Sequence, residues 1–578
     1  METALKKMWI DRECDEELAA RLSGELGVSP LLARLLVARG VKSVEAGSQF
    51  LAPSLEGLHD PFDLPDMREA VLRARQAIER KEKILVHGDY DVDGITSAAL
   101  LIRLLRALDA DVIPRVPHRS KEGYDIKIAT VDEAKAQGVS LVITGDCGVG
   151  ACEVVGRATE LGIDVIITDH HEPGKTLPDA VAVVNPRRRD SRYPFKDLAG
   201  VGVAFKFGQA LAHDLGYAAK KFQRRFLDLV ALGTVGDVAP LLDENRVLVR
   251  FGLEELATTR KVGLRSLIRS CGLEGKPLTT YALGFILAPR INAVGRMDDS
   301  AIALQLMLTR DESEANELVG VLHERNTERQ AEQARIWEEV SRMLAGRDLD
   351  GTNVVALAAP GWNSGVVGIV ASKVVETYNR PAILISANEL DGVGVGSARS
   401  MDSFDIGRAL EECRDLLLRC GGHALAAGLA IELDKLDLFR ARMNEIASAW
   451  IAPEELLPKL LVDGHLGLGE VSMDLVEDLR RLEPYGTGNP EPLFVTRGAT
   501  VLDKRLVGME RSHLKLSVCA DGGRPAECIA FGLGDSYDAV QVGSRIDVCY
   551  NIRPNHYSGV ETAQLTVKDL VAADDERP

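Results

Sequence analysis

The chain has only nine cysteines in 578 residues, an odd number with no C-x-x-C pair. That argues against both a disulfide framework and a zinc ribbon. It also has no uninterrupted apolar run near the roughly 18 residues that a membrane span needs. The opening stretch, METALKKMWIDRECDEEL, carries acids where a secretory signal is apolar. A cytoplasmic protein with no membrane partner is therefore expected. Excess basic charge is missing too, since the formal net charge is −18. This speaks against a uniformly basic, nucleic-acid-binding surface, although an acidic shell can surround a basic groove. The rest is ordinary for a folded protein, with 46% hydrophobic and 27% charged residues. The length calls for about three to five domains.

The stretch HGDYDVDGI places Asp89, Asp91 and Asp93 on alternate positions before Gly94. A calcium loop of the D-x-D-x-D-G type needs a Glu at its twelfth position, which here is Leu100. The D-x-D of haloacid dehalogenase phosphatases needs a Thr where Ile95 stands; Thr96 comes one residue late.

The surrounding pattern is more informative. From residue 83, KILVHG, ADVIPRVP, SLVITGD and IDVIITDHH read as strands. ITSAALLIRLLRAL, IATVDEAKAQG and ACEVVGRATELG read as the helices between them. Such alternation implies a parallel sheet covered on both faces. Ligands then sit beyond the carboxyl ends of the strands. That rim would collect Asp89, Asp91, Asp93, Asp146, Asp169, His170 and His171, joined by Asp237 from FLDLVALGTVGDVAPL. Taken singly, each Asp is a turn former or helix N-cap; together they read as one metal site. Carboxylates with neutral imidazole suit Mn²⁺ well and Mg²⁺ less well. Two such ions bridged by a carboxylate, for which Asp146 is the candidate, would activate water against a phosphoester.

Residues 245–345 read as mostly helical, ending in a long charged amphipathic segment. A second α/β unit begins at TNVVALAAPGWNSGVVGIVASK. The last 125 residues hold short alternating runs such as HLKLSVCA and SRIDVCYNIRP, the pattern of a small barrel.

GDYDVDG, DCG, DHH and GTVGDVAPL stand in the order and spacing of the DHH phosphoesterase superfamily, which the chain resembles. VPHRSKEGY, PRINAVGRM, GWNSGVVGIVASK, GGHALAAGLA and LEPYGTGNPEPLF extend the resemblance to its bacterial single-strand-specific exonucleases. The fold implied is multidomain α/β: an N-terminal helical extension (residues 1–62), a parallel-sheet DHH domain (63–245) and a helical connector (246–345). A second α/β, DHH-associated substrate-binding domain (346–452) and a C-terminal OB-like β-barrel (453–578) follow.

The resemblance implies metal ligands at Asp91, Asp93, Asp146, His170 and Asp237, with Asp89 and His171 ligating or supporting them and His87 left open. It implies a pocket for a terminal 5′ phosphate at Arg119, Ser397 and Arg399. Gly421, Gly422 and His423 correspond to a nucleic-acid-binding motif, and Arg290, Asn292 and Arg296 to a further one facing the same channel. Arg187, Arg188, Arg189 and Lys206 are additional candidates to line it. The implied activity is 5′-to-3′ hydrolysis of single-stranded DNA to mononucleotides in recombination and repair, with a two-metal Mn²⁺ or Mg²⁺ centre. A single-strand-binding protein and a RecQ-type helicase are the implied partners. Two positions depart from the family pattern, Asn363 in place of a His and Asp125 in place of a Gly.

Two rival readings stand beside this one. A small-substrate DHH enzyme would lack the barrel, where Phe494, Phe531, Tyr550 and Tyr557 are candidates to stack bases or to fill a core. A non-catalytic scaffold would have lost at least one of Asp91, Asp146, His170 or Asp237.

Overall fold

The computed structural model describes residues 7–119, 122–345, 351–520, 523–557 and 560–573. Two compact units emerge. The first comprises residues 60–237 and 252–458, the second residues 7–59, 238–251 and 459–578, with residues 1–6 outside the described part.

The first unit opens with a five-stranded, all-parallel sheet in the order Asp111–Arg115, Lys83–Gly88, Val139–Gly145, Asp164–Thr168, Ala182–Val184. Its central strands are continuous apolar runs because helices cover both faces. The helix Val92–Ala107 is the most enclosed of these, with Ile95, Leu100, Leu101 and Leu105 fully buried. From Lys83–Gly88 the chain crosses to one side of the sheet and then returns to the other. The switch therefore falls between Lys83–Gly88 and Val139–Gly145, where a doubly wound sheet opens a crevice beyond its strand ends. GDYDVDG and GDCG follow those two strands directly.

Helices Val262–Ser270, Ala288–Met297 and Ala301–Leu308 lead to Glu312–Leu344, whose 33 residues span about 50 Å. Its last turns insert Ile336, Val340 and Leu344 into a core with Val355, Leu357 and Val370. That core belongs to a mixed five-stranded sheet ordered Leu417–Gly422, Ala426–Glu432, Val393–Arg399, Ala382–Asn388, Val355–Pro360.

In the second unit, strands Phe494–Val507, His513–Cys519, Ala526–Ala530, Val560–Ala572 and Arg545–Tyr557 pair in sequence. The first also pairs with the last, which closes the barrel. Strand His513–Cys519 alternates buried and half-buried residues, the signature of one face turned inward. Helices Glu16–Leu26 and Pro30–Val37 share this core: Leu22, Leu32, Leu35 and Leu36 cluster with Leu514, Val518, Val548 and Tyr550. Phe494 and Tyr550 are fully buried core residues, so the barrel offers neither for stacking. Phe531 is exposed, edge-on to His513, and the Tyr557 side chain lies outside the described residues. Among the described residues no helix is long and apolar enough to cross a membrane.

Candidate metal centre

The rim of the parallel sheet is built by short turns that leave carboxylates little freedom. Asp91 caps helix Val92–Ala107, its Oδ1 accepting from the Asp93 and Gly94 amides at 2.9 and 3.1 Å. Asp93 is fully buried, and the amides of Gly200 and Val201, at the start of helix Gly200–Asp214, donate to its two oxygens at 2.7 and 2.8 Å. Gly200 is required there: a β-carbon would stand 2.4 Å from Asp146 Oδ1. Asp146 has a φ of 65°, a left-handed conformation that Asp tolerates better than most residues. Asp237 caps the end of helix Ala219–Gly236.

Asp169 behaves differently. Its Oδ2 accepts from the Val149 amide at 2.9 Å, and its Oδ1 from the His170 and His171 amides at 2.7 and 3.1 Å. Oδ1 also takes the hydrogen bond of His171 Nδ1 at 2.8 Å. With its lone pairs committed, Asp169 orients the histidine pair.

Three groups of ligand atoms result, each within 4.8 Å: Asp146, His170 and His171; Asp93, His170 and Asp237; Asp89, Asp91 and Asp146. The first and third share Asp146, the first and second share His170. His170 Nε2 is 3.1 Å from Asp146 Oδ1, 3.9 Å from Asp237 Oδ2 and 4.0 Å from Asp93 Oδ2. His170 Nε2, Asp146 Oδ1 and Asp89 Oδ1 are nevertheless buried without a hydrogen bond, a costly state unless a cation satisfies them.

Electrostatics agree. Burial, and then neighbouring carboxylates, push the Asp89, Asp146 and Asp237 carboxyls well above the usual range, and Asp93 up to about 7. Burial, then His171, holds His170 down to about 4, the neutral form that ligates. Burial also works against charge on His171, but the hydrogen bond and charge of Asp169 overcome it and lift the ring to about 9. An oxygen-rich, imidazole-containing set short of positive charge fits Mn²⁺ or Mg²⁺. His87 is fully buried with both ring nitrogens unbonded, and burial followed by Arg115 lowers it to about 3; it belongs to none of the three groups.

Beside these carboxylates stands a cluster of arginines. The Arg119 guanidinium lies 4.9 Å from the centroid of the Tyr90 ring. Arg399 Nη1 donates to Ser397 Oγ at 2.8 Å, and Arg296 Nη1 to the Gly365 carbonyl at 2.8 Å. Burial and the Arg119 charge lower Arg399, and the same two causes bring Arg296 down to about 9. Three guanidiniums crowding one another are arranged for an anion with several oxygens. His423 joins them electrostatically, lowered by burial, then Arg399 and His171. Next to it, Gly422 has a φ of 150° and backbone so close that a β-carbon would meet Ala426 O at 2.4 Å, while Gly421 is exposed on the sheet's edge strand.

The remaining candidates separate. Asn292 Oδ1 accepts from the Val92 amide at 2.8 Å, bracing the Asp91–Asp93 turn. Arg290 turns away from Arg296, donating to His323 Nδ1 and the Ile286 carbonyl. Lys206 is fully buried near the Tyr193 ring, and Arg188 is buried in ion pairs with Asp66 and Asp190; neither lines a channel, because each lies inside the core. Arg189 is exposed, and Arg187 pairs with Asp197 at 3.0 Å. Three features of the site carry no sequence signature of their own: Tyr90 under Arg119, Tyr124, whose hydroxyl lies 3.2 Å from His171 Nδ1, and the Gly200–Val201 amides on Asp93. Only the small residues of AGVGVAF hinted at the last.

The fold and this rim define a protein of the DHH phosphoesterase class: residues 83–234 match the DHH family N-terminal domain and residues 351–449 the DHHA1 domain. Residues 462–569 match the RecJ OB domain. The single-stranded-DNA-specific exonuclease RecJ of Bacillus subtilis is 38% identical over 99% of this chain and 72% of its own length. That of Escherichia coli is 37% identical over 97% of this chain and 98% of its own. The crystal structure of RecJ from Thermus thermophilus in complex with Mn²⁺ superposes with a TM-score of 0.84 at 32% identity, covering 99% of this chain and 80% of that one. A second, in complex with Mg²⁺, gives 0.78 at 30% identity, covering 99% and 79%. The chain belongs to the RecJ family of single-stranded-DNA-specific exonucleases.

Proposed function

We propose that this protein hydrolyses single-stranded DNA from its 5′ end to mononucleotides in recombination and repair, using Mn²⁺ or Mg²⁺. The observation that carries the reading is the adjacency of two features. Carboxylate and histidine groups share Asp146 and His170, and a cluster of guanidiniums, Arg119, Arg296 and Arg399, meets them at Tyr90, which feels the charges of Asp89 and Asp91 on one side and of Arg119 and Arg296 on the other. Asp89, Asp91, Asp93, Asp146, His170, His171 and Asp237 would hold the ions. When bound, such ions neutralise phosphoryl charge and lower the pKa of a water.

The chain's own groups do the rest. Arg119, Arg399 and Ser397 grip a terminal 5′ phosphate, which sets direction, and Arg296 adds charge to that grip. Gly421, Gly422 and His423 let the nucleic-acid backbone approach closely. Asp169 holds Nδ1 of His171 and so fixes the orientation of that ring beside Asp146. Because these contacts are to phosphates, base specificity should be weak. A cytoplasmic location, with a single-strand-binding protein and a RecQ-type helicase as partners, belongs to the same reading.

The test is a time course on strands labelled at either end, with Mn²⁺, with Mg²⁺ and with chelator, beside Asp146→Ala. Mononucleotides should leave the 5′ end only with metal and only from the wild type. Release from the 3′ end, or cleavage of dinucleotides alone, would defeat the reading.

A further inference from the structure

Tyr281 and Phe285 are 64% and 71% exposed, yet their rings stack on each other, centroids 4.9 Å apart and planes 23° from parallel. They flank and enter a π-helical stretch, Ala282–Leu287, that runs into helix Ala288–Met297. Its wider turn brings positions four apart nearer to eclipse, and such stretches recur at functional sites. The inner side is firmly seated, with Leu283 and Leu287 fully buried. A β-carbon at Gly284 would lie 3.5 Å from Val235, two residues before Asp237. The aromatic pair is thus carried by an element packed on the end of the helix that presents Asp237. Arg290 stands over the same turn, its Nη1 donating to the Ile286 carbonyl at 2.5 Å.

Flat rings open to solvent, a cation one turn away and a metal centre nearby form the combination that holds unpaired bases. We propose that Tyr281 and Phe285 form a base-stacking subsite for the single strand. The inference rests on the single-strand exonuclease reading. A folded protein partner would engage the rings without regard to bases, and this is what the test separates.

The measurement is binding of a fluorescent 5′-phosphorylated oligothymidylate, and of the same strand made of abasic nucleotides, in chelator. It compares wild type, Tyr281→Ala with Phe285→Ala, and Tyr281→Phe with Phe285→Tyr. The alanine pair should raise Kd for the thymidylate about 10- to 100-fold, while the conservative pair binds as wild type does. On the abasic strand the alanine pair and wild type should bind alike. Unchanged thymidylate binding by the alanine pair, or an equal loss on the abasic strand, would overturn the subsite. Hydrolysis of the thymidylate by wild type with Mn²⁺ is run alongside. If wild type cleaves and the alanine pair binds normally, only the stacking subsite falls. If wild type neither binds nor cleaves, the exonuclease reading falls with it.

Discussion

The Tyr124 hydroxyl lies 3.2 Å from His171 Nδ1, the nitrogen that Asp169 Oδ1 reaches at 2.8 Å, and the two rings meet edge-on at 5.5 Å. Two groups of unequal strength therefore hold one imidazole. Asp169 brings charge and also ties down the backbone of the histidine pair, whereas Tyr124 brings a neutral hydroxyl and ring contact. Asp169→Asn should weaken Mn²⁺ binding about 10- to 100-fold, the usual cost of losing such a support. Tyr124→Phe, which keeps the ring, should weaken it by less than about tenfold. Titration of Mn²⁺ against both variants checks this; equal effects would contradict the unequal division.

Proton and metal compete at the same carboxylates. Asp93 rises to about 7 through burial, then the Asp91 charge. An acid raised on folding stabilises the metal-free fold below its unfolded pKa, about 4. That contribution is lost as pH climbs through about 7. Mn²⁺ should reverse the penalty, so the rise in Tm on adding Mn²⁺ should grow between about pH 5 and pH 7.5. At a hundredfold excess over Kd the ion should contribute about 2.7 kcal/mol. Melting curves with Mn²⁺ and with chelator across that window decide the matter, and a Mn²⁺ shift independent of pH would refute it.

Why the metal rim was readable in the sequence, and other features were not, follows from the range of the forces involved. Strands such as Val139–Gly145 are apolar on both faces, and a carboxylate just past such a strand has only the crevice to enter, so local pattern locates Asp146 and His170. Lys206 and Arg188 show the limit. Both read as basic residues that could line a channel, and their fates, buried beside the Tyr193 ring and paired with Asp66, depend on tertiary partners outside their own segments. Arg290 and Arg296 share one short motif yet diverge, because six residues along a helix is not a whole number of turns. The packing of Leu22 and Leu35 on a barrel more than 450 residues later left no local trace. Nor did the stacking of Tyr281 on Phe285, which depends on a π-helical turn.

Asp125 stands where the resemblance implies a Gly, and the backbone there accommodates either. Its φ is 71°, and its Oδ1 accepts from the Ile126 amide at 2.8 Å. Gly adopts that conformation freely, and Asp is among the few side chains that tolerate it. Asp125→Gly should therefore leave stability within about 0.5 kcal/mol, whereas Asp125→Ala should cost about 1 kcal/mol or more. Denaturant melts of the two variants would settle the order; Ala as stable as Gly would mean the turn relaxes out of its left-handed conformation.

Arg399 is the most specific test of direction. Its Nη1 is pre-positioned by Ser397 Oγ and the Ala398 carbonyl, both at 2.8 Å. Among the described residues its Nε and Nη2 donate to no hydrogen-bond acceptor, which leaves them to pair with phosphate oxygens two at a time. Arg399→Ala should raise KM on 5′-phosphorylated strands about 10- to 100-fold, the value of a charge-assisted pair of about 1.5–3 kcal/mol. Strands ending in a 5′ hydroxyl should be cleaved by wild type and variant with similar KM, because the lost contact never existed for them. Arg399→Lys should recover only part of the loss, since a point charge cannot reproduce a two-pronged donor. Steady-state kinetics on the two kinds of strand read all three effects at once. An equal rise in KM on both would move Arg399 from a reader of the 5′ end to a general support of the strand.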